Sequence, residues 1–126
     1  MSDLRPKGAH VEIGGVDRHF LFTLNAIDTI QSEKGMPVSN VMELLQDEAE
    51  VPGTVRYLAT VLINDEIDRK NARTKENTEP MTEKEVGWLI DISEIGKVAD
   101  AIMTAYGISL PENEDEDPNA SGSRSS

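Results

Sequence analysis

Two histidines are the first residues whose chemistry could define a site. His10 and His19 fall on the two strands of a predicted hairpin, close to its turn, where their imidazoles can approach each other. A structural zinc ion needs four ligands, usually cysteine or histidine. The chain has no cysteine, and only Asp17 and Glu12 lie near enough in sequence to supplement the pair. We therefore interpret both histidines as solvent-facing hairpin residues and expect no metal site.

The acidic run NDEID, residues 64–68, resembles the start of a calcium-binding loop. An EF-hand places glycine at its sixth position, but with Asp65 as the first residue Lys70 occupies that position. The run also continues the apolar period of a long helix, so we assign its carboxylates to the solvated face of that helix. We find no glycine-rich phosphate loop and no nucleophile elbow. The sequence therefore predicts no catalytic residue, no cofactor and no enzyme.

Residues typical of protein interfaces are the remaining candidates. Trp88 is the only tryptophan, a residue enriched at binding hot spots, and Met42 and Met103 are flexible apolar side chains that adapt to different partners. Val11 and Ile13 alternate along the first strand of the hairpin, whose edge can pair with another chain. We predict these five as partner-binding residues. Core packing is the competing interpretation, and it is the default for Trp88, Met42 and Met103.

A small α+β fold, mostly α, must position these residues. The alternation of Val11 and Ile13 predicts the first strand of an N-terminal β-hairpin, and Gly14-Gly15 predicts its turn, since glycine reaches positive φ without steric cost. Residues 18–22 are predicted to form the second strand. An isolated hairpin is marginal in water, so we expect it to pack on the helices.

Apolar residues recurring every three or four positions predict about four amphipathic helices. We expect Asn25 to cap the first and Gly35 to end it in a left-handed conformation. Leu58 and Leu62 belong to the central helix, which we expect to follow a chain break at residues 51–53, VPG.

The C-terminal half carries its own helix signals. Residues 71–80 predict a polar loop, and Thr82 with Glu85 has the capping-box spacing that opens the next helix. The last helix is predicted to end at Gly107.

The composition suits one domain that binds proteins. The 126 residues carry a formal net charge of -12, which repels nucleic acid and anionic membranes, so we expect neither as a partner. We also expect no secretory signal and no membrane span. Residues 1–9 are predicted to be a flexible arm, residues 10–110 a single helical domain with the hairpin, and residues 111–126 a disordered acidic tail.

The order of these elements resembles the tail assembly chaperones of long-tailed, siphovirus-type bacteriophages. The family's "GG-x-x-x-x-F" hairpin corresponds to residues 14–20, and its "L-N-A-I/L" helix start to residues 24–27. A helix resembling "L-x-x-L-L-N" corresponds to residues 58–64, and the "(L/M)-T-x-x-E-V/L" helix start to residues 81–86. The resemblance covers roughly residues 10–110, and the order of the motifs carries it, since none is specific alone.

The resemblance implies a chaperone that coats the tape measure protein, recruits tail tube subunits and leaves before the tail is finished. It implies a location in the host bacterial cytoplasm, absence from the mature virion, possible self-association and, in many members, a longer frameshifted form. Two alternatives stay open. One is an acidic, charge-driven regulator or nucleic-acid mimic that binds a basic protein site, and the other is a minor structural tail protein.

Overall fold

A computed structural model describes residues 8–109 of the protein. The predicted acidic tail, residues 111–126, and residues 1–7 of the predicted arm lie outside this range. The fold begins at Ala9, one residue before the predicted domain boundary. In chain order the elements are β1 (Ala9–Ile13), β2 (Val16–Phe20), α1 (Leu24–Lys34), α2 (Val38–Glu43), a 3₁₀ turn (Leu44–Gln46), α3 (Val51–Thr74), α4 (Glu83–Leu89), a second 3₁₀ turn (Ile92–Glu94) and α5 (Ile95–Ser109).

The predicted class is confirmed: a two-stranded antiparallel hairpin precedes five helices, and the fold is mostly helical. Gly14 and Gly15 form the hairpin turn with φ of 61° and 82°, the pair of positive angles that a tight two-residue turn requires. Because only these two residues form the turn, Ile13 pairs with Val16, and β2 starts two residues earlier than predicted.

The central helix α3 organises the core. It contacts the hairpin, α1, α4 and α5, and its Leu58, Leu62 and Ile63 are fully buried. Phe20 is also fully buried, as expected for the hairpin side that faces the helices. The 24-residue length of α3 lets its buried residues contact the hairpin and three other helices within one core.

The start of α1 differs from the prediction. Its N-cap is Thr23, whose hydroxyl accepts a hydrogen bond from the Ala26 N–H at 3.1 Å, and Asn25 lies inside the helix. Thr23 is fixed at this position by a second bond, which its hydroxyl donates to Asp65 Oδ2 at 2.9 Å. The predicted end at Gly35 is confirmed, with φ of 69°.

Three other predicted helix boundaries are wrong. The predicted loop at residues 71–80 starts four residues later, because α3 continues to Thr74. The sequence VPG at residues 51–53 does not break the chain but forms the first turn of α3. Proline is accommodated there because the first N–H groups of a helix have no intrahelical partner. Gly107 does not end α5, which continues to Ser109.

The loop between α3 and α4 is held against α3 by two asparagines. The Asn64 side-chain amide donates to the Met81 carbonyl at 2.9 Å and accepts from the Met81 N–H at 2.8 Å. Asn71 forms the same pair of bonds with Thr78, at 2.9 and 3.1 Å. The seven helical residues from Asn64 to Asn71 rise about 10.5 Å, and the three extended residues from Thr78 to Met81 span about 10 Å. The distance between the two asparagines therefore matches the distance between their two partners.

The carboxylates of residues 64–68 are predicted to lie on a solvated face, and for two of the three that prediction is wrong. Asp65 and Glu66 are half-buried, and only Asp68 is exposed. Asp65 accepts from Arg69 Nε at 3.1 Å as well as from the α1 cap. The run therefore joins α3 to the rest of the fold.

Lys75, which follows α3, has φ of 65° and is the only non-glycine residue of range 8–109 with a positive φ. A side chain is strained in this left-handed conformation, whereas glycine is not. We expect Lys75→Gly to raise the free energy of unfolding by about 0.5–1 kcal/mol, measured by urea denaturation. Lys75→Ala, which keeps the Cβ atom, is the control and should give no such gain. An equal gain from both variants would mean that the lysine side chain, and not the backbone angle, is unfavourable.

Candidate protein-binding surface

The two histidines meet across the hairpin as a pair. His10 and His19 are opposed in the strand register, and their rings stack with centroids 4.5 Å apart. His10 is exposed and its Nδ1 lies 3.0 Å from Asp17 Oδ2, while His19 is half-buried. Within residues 8–109, no three histidine, cysteine or carboxylate side chains are grouped closely enough to hold a metal ion.

A groove of about 480 Å³ lies between α1 and α3, and Tyr57 is among the residues that line it. Burial, and then the hydrogen bond that its hydroxyl donates to Glu33 Oε1 at 2.7 Å, raise the pKa of Tyr57 above its ordinary value. Lys34 lies over the Tyr57 ring at 4.2 Å. The hydroxyl is therefore held protonated and works as a structural donor that links α1 to α3.

Several exposed apolar side chains lie on α4, just after it and at the hairpin turn that Leu89 approaches. Trp88 is 76% exposed and Ile92 is 83% exposed, and Leu89 and Val16 are also solvent-exposed. We call these four residues the α4 surface. Water contact with this much apolar side chain is unfavourable, and clustered exposed apolar residues commonly mark interaction sites.

The capping box at the start of α4 fixes the direction of the surface. Thr82 Oγ1 accepts from the Glu85 N–H at 3.1 Å, and Glu85 Oε1 accepts from the Thr82 N–H at 2.9 Å. Val86 is buried beneath the helix. Since successive residues of a helix turn by about 100°, Trp88 points away from Val86 and outward.

The two neighbours of Trp88 face different parts of the fold. A Cβ atom on Gly14, in the hairpin turn, would lie 2.9 Å from a Leu89 methyl group, so Leu89 packs beside the turn. A Cβ atom on Gly87 would lie 3.1 Å from Arg56 Cδ of α3. Trp88 therefore projects outward from the ridge of α4 that lies between the hairpin turn and the first turns of α3, and we call this ridge the crest.

An open groove of about 310 Å³ lies on the α3 side of this crest, and we call it the α3–α4 groove. Its walls are mostly apolar, and Arg56 is the only charged residue among the described residues that line it. Arg56 Nε lies 3.5 Å from Glu83 Oε1. Ile92 belongs to both this groove and the α4 surface. The lining residues are Pro52, Gly53, Val55, Arg56, Gly87, Ile90, Ile92 and Ile95.

The five residues predicted to bind a partner separate into two groups. Trp88 is exposed, so its default assignment to the core is wrong, and Met103 is 38% exposed. Val11, Ile13 and Met42 are buried, because they face the helices and complete the core. The side chains of these three are therefore not exposed to a partner in this fold, and their assignment as binding residues stays a prediction.

Sequence reasoning missed Ile92 and Gly53. A signal for Ile92 was present in the sequence. It stands between the polar residues Asp91 and Ser93, and Ile95 is its only apolar neighbour at helical spacing on the C-terminal side. Gly53 carried no such signal. A glycine in a helix helps to form a groove only by leaving empty the space that another residue's side chain would fill.

No protein-family model matches the chain, and neither the curated proteins nor the solved structures gave a match. In the part of the chain that the structure describes, no helix is both long and apolar enough to cross a membrane.

Proposed function

We propose that this protein is a tail assembly chaperone of the kind made by long-tailed bacteriophages. In this proposal it acts by binding and not by catalysis: it binds the tape measure protein and helps to recruit tail tube subunits in the host cytoplasm, and it is absent from the mature virion. The single structural observation that supports binding is the α4 surface, where Trp88 and Ile92 are 76% and 83% exposed. The choice of partner rests on the order of sequence motifs.

The α4 surface has the composition of a binding hot spot. Tryptophan at the centre of an interface often contributes more than 2 kcal/mol to binding, because its large ring is desolvated by the partner. Trp88 is held on a capped helix whose Val86 is fully buried, so little backbone conformational entropy is lost when a partner covers it.

The charge of the protein suits a coating role. A long helical protein with apolar faces aggregates when those faces are exposed. Many copies of a small acidic domain, each with formal net charge -12 and each binding weakly, would cover such faces and keep the complex soluble. Weak individual contacts also permit release when the tail tube assembles.

Co-expression with the tape measure protein tests the proposal. We expect the tape measure protein alone to be insoluble and to become soluble with this chain, in a complex containing many copies of it. Trp88→Ser should reduce the recovered tape measure protein by roughly tenfold, because truncation of a hot-spot residue costs about 1.4 kcal/mol or more.

Leu24→Ser is the matched control. Leu24 is 81% exposed, but it follows the cap at the open end of the hairpin, whereas the α4 surface lies beside the turn at its other end. This variant should solubilise the tape measure protein as well as the unmodified chain does. Equal loss in both variants, or an insoluble tape measure protein with the unmodified chain, would contradict the proposal. Recovery of this chain at stoichiometric levels in purified virions would identify a structural tail protein instead.

A further inference from the structure

We propose that the α3–α4 groove receives an apolar side chain from a partner helix whose flanking residues are basic. This inference rests on the proposed function in that it assigns chemistry to the partner, but it concerns a separate feature, the groove beside the α4 surface. The groove measures about 310 Å³, and a cavity of about 150 Å³ holds a benzene-sized group. It therefore has room for one or two apolar side chains.

Two glycines keep the groove open. A Cβ atom built on Gly53 meets no atom within 4 Å, so the space above it is empty. At Gly87 a Cβ atom would lie 3.1 Å from Arg56 Cδ and narrow the gap between α3 and α4. At Gly87, inside α4, glycine costs stability, since alanine is the better helix former by about 1 kcal/mol. That cost falls at a position where a side chain would narrow the groove.

The charge around the groove indicates the partner's chemistry. The segments that line it, residues 52–56 and 87–95, contain two acidic residues and one basic residue, and together with Glu83, which pairs with that basic residue, they carry a local formal charge of -2. The basic residue is Arg56, whose Nε lies 3.5 Å from a Glu83 carboxylate oxygen. Lysine and arginine beside the inserted side chain would therefore be attracted, and acidic residues repelled. A second copy of this chain carries the same negative charge, so the groove favours a basic partner over self-association.

A helix suits the arrangement of groove and crest. One face of an amphipathic helix presents apolar side chains at i, i+3 or i+4, and i+7. One of them can enter the recess above Gly53 while its neighbours cover Ile92 and Trp88, both of which are largely exposed. The groove and the α4 surface then act as one continuous docking site.

The sole tryptophan makes the inference directly testable. The probe is a synthetic amphipathic peptide of about 20 residues that lacks tryptophan, with leucine on one face and lysine and arginine beside it. Its titration into the full chain should shift Trp88 emission to shorter wavelength and reach saturation. A peptide with glutamate replacing the basic residues should bind at least roughly tenfold more weakly, and the difference should shrink at high salt.

Filling the groove should abolish the effect without unfolding the protein. Gly53→Leu places a side chain in the empty recess and should weaken peptide binding by at least roughly tenfold. Gly107→Leu is the matched control: Gly107 also lies in a helix, is exposed and has open space around it, but it does not line the groove. Thermal melts should show both variants folded, and the Gly107 variant should bind as the unmodified chain does.

Three results would overturn the inference: no saturable shift with the basic peptide, equal binding of the acidic peptide at low salt, or unchanged binding by a folded Gly53→Leu variant. A shift that depends on protein concentration without peptide would identify a second copy as the occupant and overturn it as well. The two proposals fail separately. A tape measure protein that is solubilised while the peptide does not bind leaves the function standing, and a bound peptide with an insoluble tape measure protein leaves the groove assignment standing.

Discussion

Replacing Leu58 or Leu62 with alanine is expected to lower the free energy of unfolding by about 2–5 kcal/mol. Both side chains are fully buried on the stripe of α3 that contacts the hairpin and three other helices. The loss combines the transfer free energy of the deleted methyl and methylene groups with the cavity left behind. Since small domains have only about 5–15 kcal/mol of stability, either variant should be close to unfolding at 37 °C.

Urea denaturation with far-UV circular dichroism measures this loss. Leu24→Ala is the control, because 81% of that side chain is exposed and its truncation should change stability by no more than about 0.5 kcal/mol. If Leu58→Ala and Leu62→Ala both retain full stability and instead lose a partner, the stripe is an interface and the core assignment is wrong.

Asp65→Ala is expected to lower the free energy of unfolding by about 2–3 kcal/mol. The Asp65 side chain is only 10% exposed and accepts hydrogen bonds from the Thr23 hydroxyl and from Arg69 Nε. Its removal leaves the half-buried Arg69 guanidinium without this carboxylate. It also removes the acceptor of the Thr23 hydroxyl, which weakens the cap of α1. Such losses are large because the remaining donors stay away from water without a partner.

Asp68→Ala supplies the matched control for Asp65. Asp68 lies on the same helix, three residues away, but it is exposed, so its loss should change stability by no more than about 0.5 kcal/mol. Combining Asp65→Ala with Arg69→Met should cost less than the sum of the two single changes, because the pair is then removed together. Strict additivity in chemical denaturation would mean that the two side chains do not stabilise the fold through each other.

Short-range signals were sufficient for much of the fold. The positions of the glycines predicted the turn at Gly14-Gly15 and the end of α1 at Gly35. Both features depend only on the backbone freedom of one or two residues, and the observed positive φ angles agree with them. The capping box of α4 was also predictable, because Thr82 and Glu85 satisfy each other's N–H groups within a single turn.

The errors occurred where distant residues decide. Thr23 and Asn25 are both good caps, and the choice between them follows from Asp65, 42 residues beyond Thr23. The exposure of Trp88 was equally hidden, because Val86 and Leu89 occupy the sides of α4 that face the core and the hairpin turn. A hydropathy pattern does not show which of several adjacent apolar residues a seven-residue helix turns outward.

The two asparagine bridges of the α3–α4 loop constrain where the chain can change in length. Between Thr78 and Met81 three residues already stretch across two helical turns, so losing one residue there would leave a gap of about 3.3 Å and break a bridge. Residues 75–77 are exposed and form the part of the loop that the Asn71–Thr78 bridge closes, so extra residues there can bulge into solvent without lengthening the segment between the two bridges. Insertions among related sequences should therefore collect at residues 75–77, which is also the position of this loop best suited to an internal affinity tag.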